Sequence, residues 1–343
     1  MHRPIYCTAV ILCCLLLQAA AAERDPERTS ARMITPAADR AIQRGLDYLA
    51  KQQNDDGSFG TGGYRSNPAI CALAGLAFLA GGSTPGRGPY GGNINRCLDF
   101  ILANTEPSGL IVAPAAAKQW PMYGHGFATL FLAECYGMSP RPDLREKLVK
   151  AVQLILNTQN KEGGWRYEPQ RRDADISVTV CEVMALRAAR NAGIYVSGEA
   201  IDRAVDYVKQ CQNADGGFRY MVQGGESAFP RSAAALVALY SAGIYEGPEI
   251  SKGLDYLMQF LPQEGVVRRE MMYYEYGHYY AAQAMWQAGG PYWNKWYPAV
   301  RDDLIGRQEN SGSWTSAYGS QYATAMCCLA LQVPNNFLPI FQR

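Results

Sequence analysis

Two kinds of hydrophobic pattern alternate along this chain. The first is amphipathic. Ala38, Ala41, Ile42, Leu46 and Leu49 recur at three- and four-residue spacing with polar residues between them, which predicts a helix with one wet face. Thr35 and Pro36 stand where an N-cap and a first helical residue belong. AVQLILN and AIDRAVDYVKQ repeat the pattern further on. The second kind is apolar nearly all round: AICALAGLAFLA, GFATLFLAECYG, VTVCEVMALRAARNAG, SAAALVALYSAG, YYAAQAMWQAGG and TAMCCLALQV. Helices without a polar face are buried on most sides. Five of the six end at a glycine, Gly81, Gly137, Gly193, Gly243 or Gly289, each expected to be a left-handed C-cap.

A short motif joins each amphipathic segment to the apolar one after it. Gln is followed four positions later by Gly and six positions later by an aromatic, at Gln53/Gly57/Phe59, Gln159/Gly163/Trp165, Gln212/Gly216/Phe218 and Gln308/Gly312/Trp314. Weaker copies surround Gly109 and Gly265, which makes six glycines at intervals of 47 to 54 residues. A fixed period marks a repeated helix-pair unit. Six outer and six inner helices predict an all-α fold, an (α/α)6 toroid with an inner barrel inside an outer one. An open superhelical array is the competing arrangement, and six copies with fully apolar inner helices favour closure. All inner helices then run parallel, and their N-termini bring positive dipole ends together at one end of the barrel.

Domain boundaries follow from the same reading. Residues 1–22 read as a secretory signal peptide: His2 and Arg3, an apolar stretch from Ala9 to Leu17, and small residues ending at Ala22. A retained anchor is the alternative, although the apolar stretch is short for a spanning helix. Residues 23–32 read as a flexible N-terminal segment, 33–335 as one toroid domain and 336–343 as a C-terminal tail. The expected location is therefore periplasmic or extracellular. No later apolar run reaches membrane-spanning length without Gly or polar breaks.

Composition then excludes some functions. The 343 residues include 32 Lys+Arg and 31 Asp+Glu. Removing residues 1–22 takes away Arg3 and no acid, leaving no cationic excess for nucleic acid. With 48% hydrophobic and 18% charged residues the chain is not disordered. Seven cysteines remain, an odd number at irregular spacing with no CxxC pair. They read as buried small apolar residues rather than a disulfide framework or a zinc site. An oxidising compartment would allow one or two disulfides.

The Gln-x-x-x-Gly-x-aromatic copies resemble the "QW" repeats of the α/α-toroid superfamily, which includes squalene-hopene cyclases, related terpene cyclases and protein prenyltransferase beta subunits. The resemblance covers about residues 33 to 335. It implies a substrate cavity inside the inner barrel, near the inner-helix N-termini. Two departures bear on the reaction. The cyclases' Asp-x-Asp-Asp acid motif is matched only by Asp173-Ala174-Asp175-Ile176, in which Asp175 takes the place of the protonating Asp and Ile176 replaces the last one. The Asp-x-Cys pair that prenyltransferases use for zinc does not occur. Triterpene cyclases also resemble two such toroids in tandem.

Candidate site residues lie just before and into the inner helices. His125 and His278, the two histidines after residue 22, each end a Tyr-Gly-His triplet, at Tyr123 and Tyr276. They are expected to face each other across the cavity as proton carriers, or else to fix loops. A metal shared between opposite walls is not expected, and no cofactor is implied. Asp175 is a candidate acid or the N-cap of its helix, and Asp173 could be neutralised by Arg171 and Arg172. Ser177, Thr179, Tyr274, Tyr318 and Gln321 are candidate ligand contacts, and Arg231 could bind an anionic group. Trp120, Tyr273, Tyr279 and Tyr280 join these tyrosines in clusters that could stabilise a carbocation, stack on a sugar or simply pack.

Three functions fit. One is a terpene-cyclase-like, isomerase-like or transferase-like enzyme acting on an isoprenoid or other apolar small molecule. Another is a non-catalytic exported binding or scaffold protein on the same fold. The third is a polysaccharide-active, lyase-like enzyme using Tyr and His on a glycan. The oligomeric state is left open.

Overall fold

The computed structural model describes residues 33–114, 120–262 and 273–342. The signal-peptide and N-terminal-segment readings and the motif copy around Gly265 lie outside the described residues. Among the described residues there are twelve α-helices in six outer–inner pairs. They are α1 (Pro36–Gln52) and α2 (Pro68–Ala80), α3 (Gly91–Ala103) and α4 (Pro121–Cys135), and α5 (Leu144–Thr158) and α6 (Ile176–Asn191). Then follow α7 (Gly198–Gln210) and α8 (Phe229–Ser241), α9 (Pro248–Met258) and α10 (Tyr274–Ala288), and α11 (Gly290–Arg307) and α12 (Ser320–Gln332).

Inner helices pack in the order α2, α4, α6, α8, α10, α12 and back to α2. The ring is closed, so the open array is excluded and the fold is the expected (α/α)6 toroid. Outer helices bury only an inward stripe, such as Ala38, Ala41, Ile42, Leu46 and Leu49 on α1. Inner helices are buried nearly throughout; twelve of the thirteen residues of α2 are buried. Thr35 caps α1 with its hydroxyl and Pro36 opens the helix.

Each of the four Gln-bearing motifs clamps one repeat to the next. The Gln159 amide donates to the Gly163 carbonyl at 2.8 Å and to the Ala200 carbonyl of the following outer helix at 2.8 Å. Gln53 bridges Gly57 and Asn93 in the same way, and Gln212 bridges Gly216 and Glu249. Gln308 bridges Gly312 to Ala41 of α1, at 2.8 Å, which shuts the ring. Gly163 has φ +98, and a Cβ there would lie 2.1 Å from the Arg203 carbonyl oxygen, so glycine is required for two reasons. The motif tryptophans Trp165 and Trp314 donate their indole N–H to carbonyls of the preceding outer helix, Ile155 and Leu304.

Two boundary expectations change. Gly81 has φ −81, and the left-handed position after α2 belongs to Gly82, φ +86. Residues 336–342 are not a trailing tail: Leu338, Ile340 and Phe341 are buried. The short turn Pro339–Phe341 packs on α6, and the Phe341 carbonyl accepts the Trp286 indole N–H at 3.1 Å and the Gln287 amide at 2.6 Å. This segment lies across the C-terminal ends of the inner helices. Among the described residues no helix is long and apolar enough to cross a membrane. All seven described cysteines are buried and free.

Candidate functional site

A cavity of about 550 Å³ opens at the N-terminal end of the inner barrel. That lies inside the usual range of small-molecule sites, roughly 300–1,000 Å³. Every repeat contributes to its wall. Repeats one and two supply Pro68, Ala69, Ile70, Ile111, Val112 and Phe127 together with Tyr64, Asn67, Trp120 and Tyr123. Repeats three and four supply Tyr167, Ser177, Tyr220 and Arg231, and the last two supply Tyr273, Tyr276, Tyr318 and Tyr322. Trp120 and Tyr273 sit at the rim, half exposed, with the left-handed φ values 51 and 60 that are uncommon for bulky residues. Trp120 leans on Tyr167 at 5.3 Å, and Tyr273 stacks on Tyr318 at 6.1 Å.

The expected cavity contacts divide. Tyr123, Ser177, Arg231, Tyr276 and Tyr318 all line the cavity. The Tyr276 hydroxyl donates to the Ser177 carbonyl at 3.4 Å. Burial raises the Tyr123, Tyr276 and Tyr322 phenols well above the usual range, so these hydroxyls stay protonated at neutral pH.

His125 and His278 do not face one another across the cavity. Residues two apart on an α-helix point roughly 200° apart, so the tyrosine of each Tyr-Gly-His turns inward and the histidine turns outward. His125 Nδ1 accepts the Ile111 N–H at 3.2 Å, and Nε2 lies 3.2 Å from the Ala151 carbonyl of α5. The ring pins the second motif between the two barrels. Burial lowers its pKa to about 4, so it is neutral. His278 packs between the rings of Phe229, Tyr274 and Trp296, and burial lowers it to about 3.

Thr179, Tyr274 and Gln321 are likewise turned away from the cavity. Thr179 Oγ1 accepts the Trp165 N–H at 3.1 Å. Ser232 does the same for Phe218 at 2.8 Å and Thr324 for Trp314 at 3.1 Å. His125 is thus the second repeat's version of a recurring motif anchor. The Tyr274 hydroxyl donates to Asp303 of α11, with Arg307 over its ring at 4.3 Å. Gln321 Oε1 accepts the Gly60 N–H at 2.5 Å, and its amide donates to the Gln52 carbonyl at 3.2 Å, joining the last repeat to the first.

Asp175 caps α6: Oδ1 accepts the Val178 N–H at 3.0 Å. Oδ2 is buried with no hydrogen-bond partner, 3.8 Å from Arg166 Nε. Burial outweighs the cap and Arg166 and pushes its pKa up to about 6. Asp175 is fully buried and is not among the residues lining the cavity. Asp173 is half exposed and pairs with Arg166 at 3.4 Å, not with Arg171 or Arg172; Arg171 donates to the Asn157 carbonyl at 2.5 Å.

Sequence reasoning missed Tyr64, Tyr167, Tyr220, Tyr322 and Phe127. For two of them a signal exists: Trp165-Arg166-Tyr167 and Phe218-Arg219-Tyr220 place a tyrosine two positions after the motif aromatic. Their hydroxyls hydrogen-bond each other in the wall.

Comparison with known proteins agrees with this architecture. Residues 126–281 match the squalene-hopene cyclase C-terminal domain, and residues 2–111 match the prenyltransferase α/α toroid domain. Drimenyl diphosphate synthase of Streptantibioticus cattleyicolor is 26% identical over 185 residues, 52% of this chain and 32% of that protein. Lanosterol synthase of Pneumocystis carinii is 23% identical over 304 residues, 70% of this chain and 41% of that protein. The chain therefore spans less than half the length of either curated relative. A type II terpene cyclase from Scytonema, solved with geranylgeranyl dihydroxybenzoate, superposes with TM-score 0.61 at 13% identity, covering 88% of this chain and 98% of that one. A cellobiose 2-epimerase from Bacillus thermoamylovorans superposes with TM-score 0.60 at 11% identity, covering 85% and 97%. The chain carries the α/α-toroid fold, and its resemblance to the squalene-hopene and terpene cyclases and the prenyltransferases is borne out. The fold itself also carries sugar chemistry, so the reaction has to be argued from the site.

Proposed function

We propose that this protein takes up an isoprenoid or similarly apolar molecule in the inner-barrel cavity. One observation carries the reading: a cavity of about 550 Å³, built by all six repeats and walled largely by aromatic rings, offers an apolar chain more contact than any other feature described here. The relatives' activities on isoprenoids agree with it. Native mass spectrometry of the purified protein is expected to show a co-purifying lipid-like adduct. A chain that carries no such adduct and instead binds oligosaccharides would overturn the reading.

Binding is better supported than cyclisation. A carboxyl with a pKa near 6 is mostly ionised at neutral pH, and Asp175 already uses one oxygen as a helix cap. Ile176 occupies the place of the motif's last acid. Protonating an alkene needs a carboxyl that holds its proton and is free to present it, and this one does neither. Export is proposed on the N-terminal sequence alone: N-terminal sequencing of the mature protein is expected to begin at Glu23, and a retained Met1 would contradict it.

A further inference from the structure

The four Gln clamps share one register. The Gln53, Gln159, Gln212 and Gln308 amides donate to the carbonyls of Asn93, Ala200, Glu249 and Ala41 on the following outer helices. Four residues further on, those helices carry Cys97, Ala204, Gly253 and Gly45. At the last clamp this position faces the motif anchor of the inner helix: a Cβ added to Gly45 would lie 3.5 Å from Cγ2 of Thr324, which anchors Trp314. The first clamp has Cys71 in the anchor's place. Asn67 donates its N–H to the Phe59 carbonyl at 3.0 Å, as Asp175 does to the Trp165 carbonyl at 2.9 Å. Cys71 stands four residues after Asn67, as the anchor Thr179 stands four after Asp175. Of the four clamps, only the first has cysteine on both sides.

The contacts bring these two cysteines together. The Cys71 thiol donates to the Gly57 carbonyl at 3.6 Å. The Gln53 amide reaches the same carbonyl at 2.9 Å and the Cys97 sulfur at 3.4 Å. Gly57 packs on the turn that carries Cys97, where an added Cβ would lie 2.3 Å from the Arg96 carbonyl oxygen. Both thiols therefore converge on one motif carbonyl, within hydrogen-bonding reach of each other. A disulfide needs Cβ atoms about 3.5–4.5 Å apart, close to the separation found across the last clamp. Both thiols are buried and free in this structure. Burial raises the Cys71 thiol well above its usual range, so its reactive thiolate belongs to the chain while it folds.

We propose that Cys71 and Cys97 form a disulfide in the exported protein, stapling inner helix α2 to α3, the outer helix of the next repeat. The proposal rests on the proposed export, because the bond needs an oxidising compartment. One thiolate attacks a glutathione or protein disulfide and releases the first of its thiols. The other thiolate breaks the mixed disulfide and releases the second, so two protons and two electrons pass to the oxidant. The test is peptide mapping of the full chain, purified from an exporting bacterial host and alkylated in denaturant without reductant. Joined peptides of Cys71 and Cys97 are expected. A link from Cys97 to Cys135, the other thiol near it, overturns the proposal. So do free thiols at both positions in a chain that begins at Glu23. A chain that retains Met1 and has both thiols free contradicts export instead. Refolding that chain from urea in a glutathione redox buffer then decides, and no Cys71–Cys97 link there overturns the pairing. The melting temperature supplies a second readout. Reductant is expected to lower it by a few degrees in the wild type. Cys71→Ser, which keeps a hydroxyl like that of the anchor Ser232, is expected to melt at the lower temperature and to ignore reductant. Cys97→Ala, which matches Ala204 of the third clamp partner, serves the same purpose if Cys71→Ser does not fold. A wild type indifferent to reductant, or a folded variant that keeps the full response, overturns the proposal.

Discussion

At the scale of single residues, helix geometry decides which candidates meet the ligand. Tyr123 and His125 stand two positions apart on α4, and Tyr276 and His278 repeat the arrangement on α10. Only the tyrosines line the cavity. The triplets are plain in the sequence, but the direction of each side chain follows from the helix phase, which the sequence reading did not apply. His125→Ala removes two buried backbone contacts and leaves a void. A loss of about 2–4 kcal/mol by urea denaturation is expected, with ligand affinity unaltered. Because the folded pKa of His125 is lowered to about 4 from 6.5, its neutral-ring contribution is lost as pH falls from about 6.5 to 4. The variant should lack that part of the acid slope. Asp175 has the opposite sign of linkage. Its folded pKa is raised from 3.8 to about 6, so folding takes up a proton between those values and stability falls as pH rises through that window, by on the order of 3 kcal/mol. Asp175→Asn keeps a good N-cap and should flatten that slope. An unchanged slope in the variant would show that the carboxyl does not titrate there.

At the scale of elements, the sequence speaks most clearly because the same interaction is made several times over. Gln-x-x-x-Gly recurs because the amide must reach both its own glycine carbonyl and the next outer helix, while the glycine must let that helix's backbone close in. The two requirements leave the same trace at four repeats, at Gln53, Gln159, Gln212 and Gln308. Contacts made once leave none, and so the capping turn at Pro339–Phe341 and the clasp at Gln321 were not legible. The distinction between the glycines can be measured. Gly163→Ala adds a clash with the Arg203 carbonyl to the cost of a positive φ, whereas Gly193 has φ +79 with nothing within 4 Å of an added Cβ. Gly193→Ala should cost about 1–2 kcal/mol from backbone conformation alone, and Gly163→Ala clearly more. Equal losses in denaturant titrations would contradict the clamp.

At the scale of the whole molecule, six parallel inner helices produce one end that is open and aromatic and another that is crossed by the C-terminal segment. The ring was legible from the period of the motif glycines and the count of helix pairs. The make-up of the cavity wall was not, because it depends on which side chains turn inward once the ring has closed. The central claim is that this cavity is the ligand site. Its most direct test is a calorimetric titration with farnesol and farnesyl phosphate of the wild-type protein and of Ser177→Trp, in which a bulky ring is set into the cavity wall. Saturable one-to-one binding of at least one probe to the wild type is expected, weakened by roughly tenfold or more in a Ser177→Trp variant that keeps its melting temperature. No saturable binding to the wild type, or equal affinity in the folded variant, would contradict it.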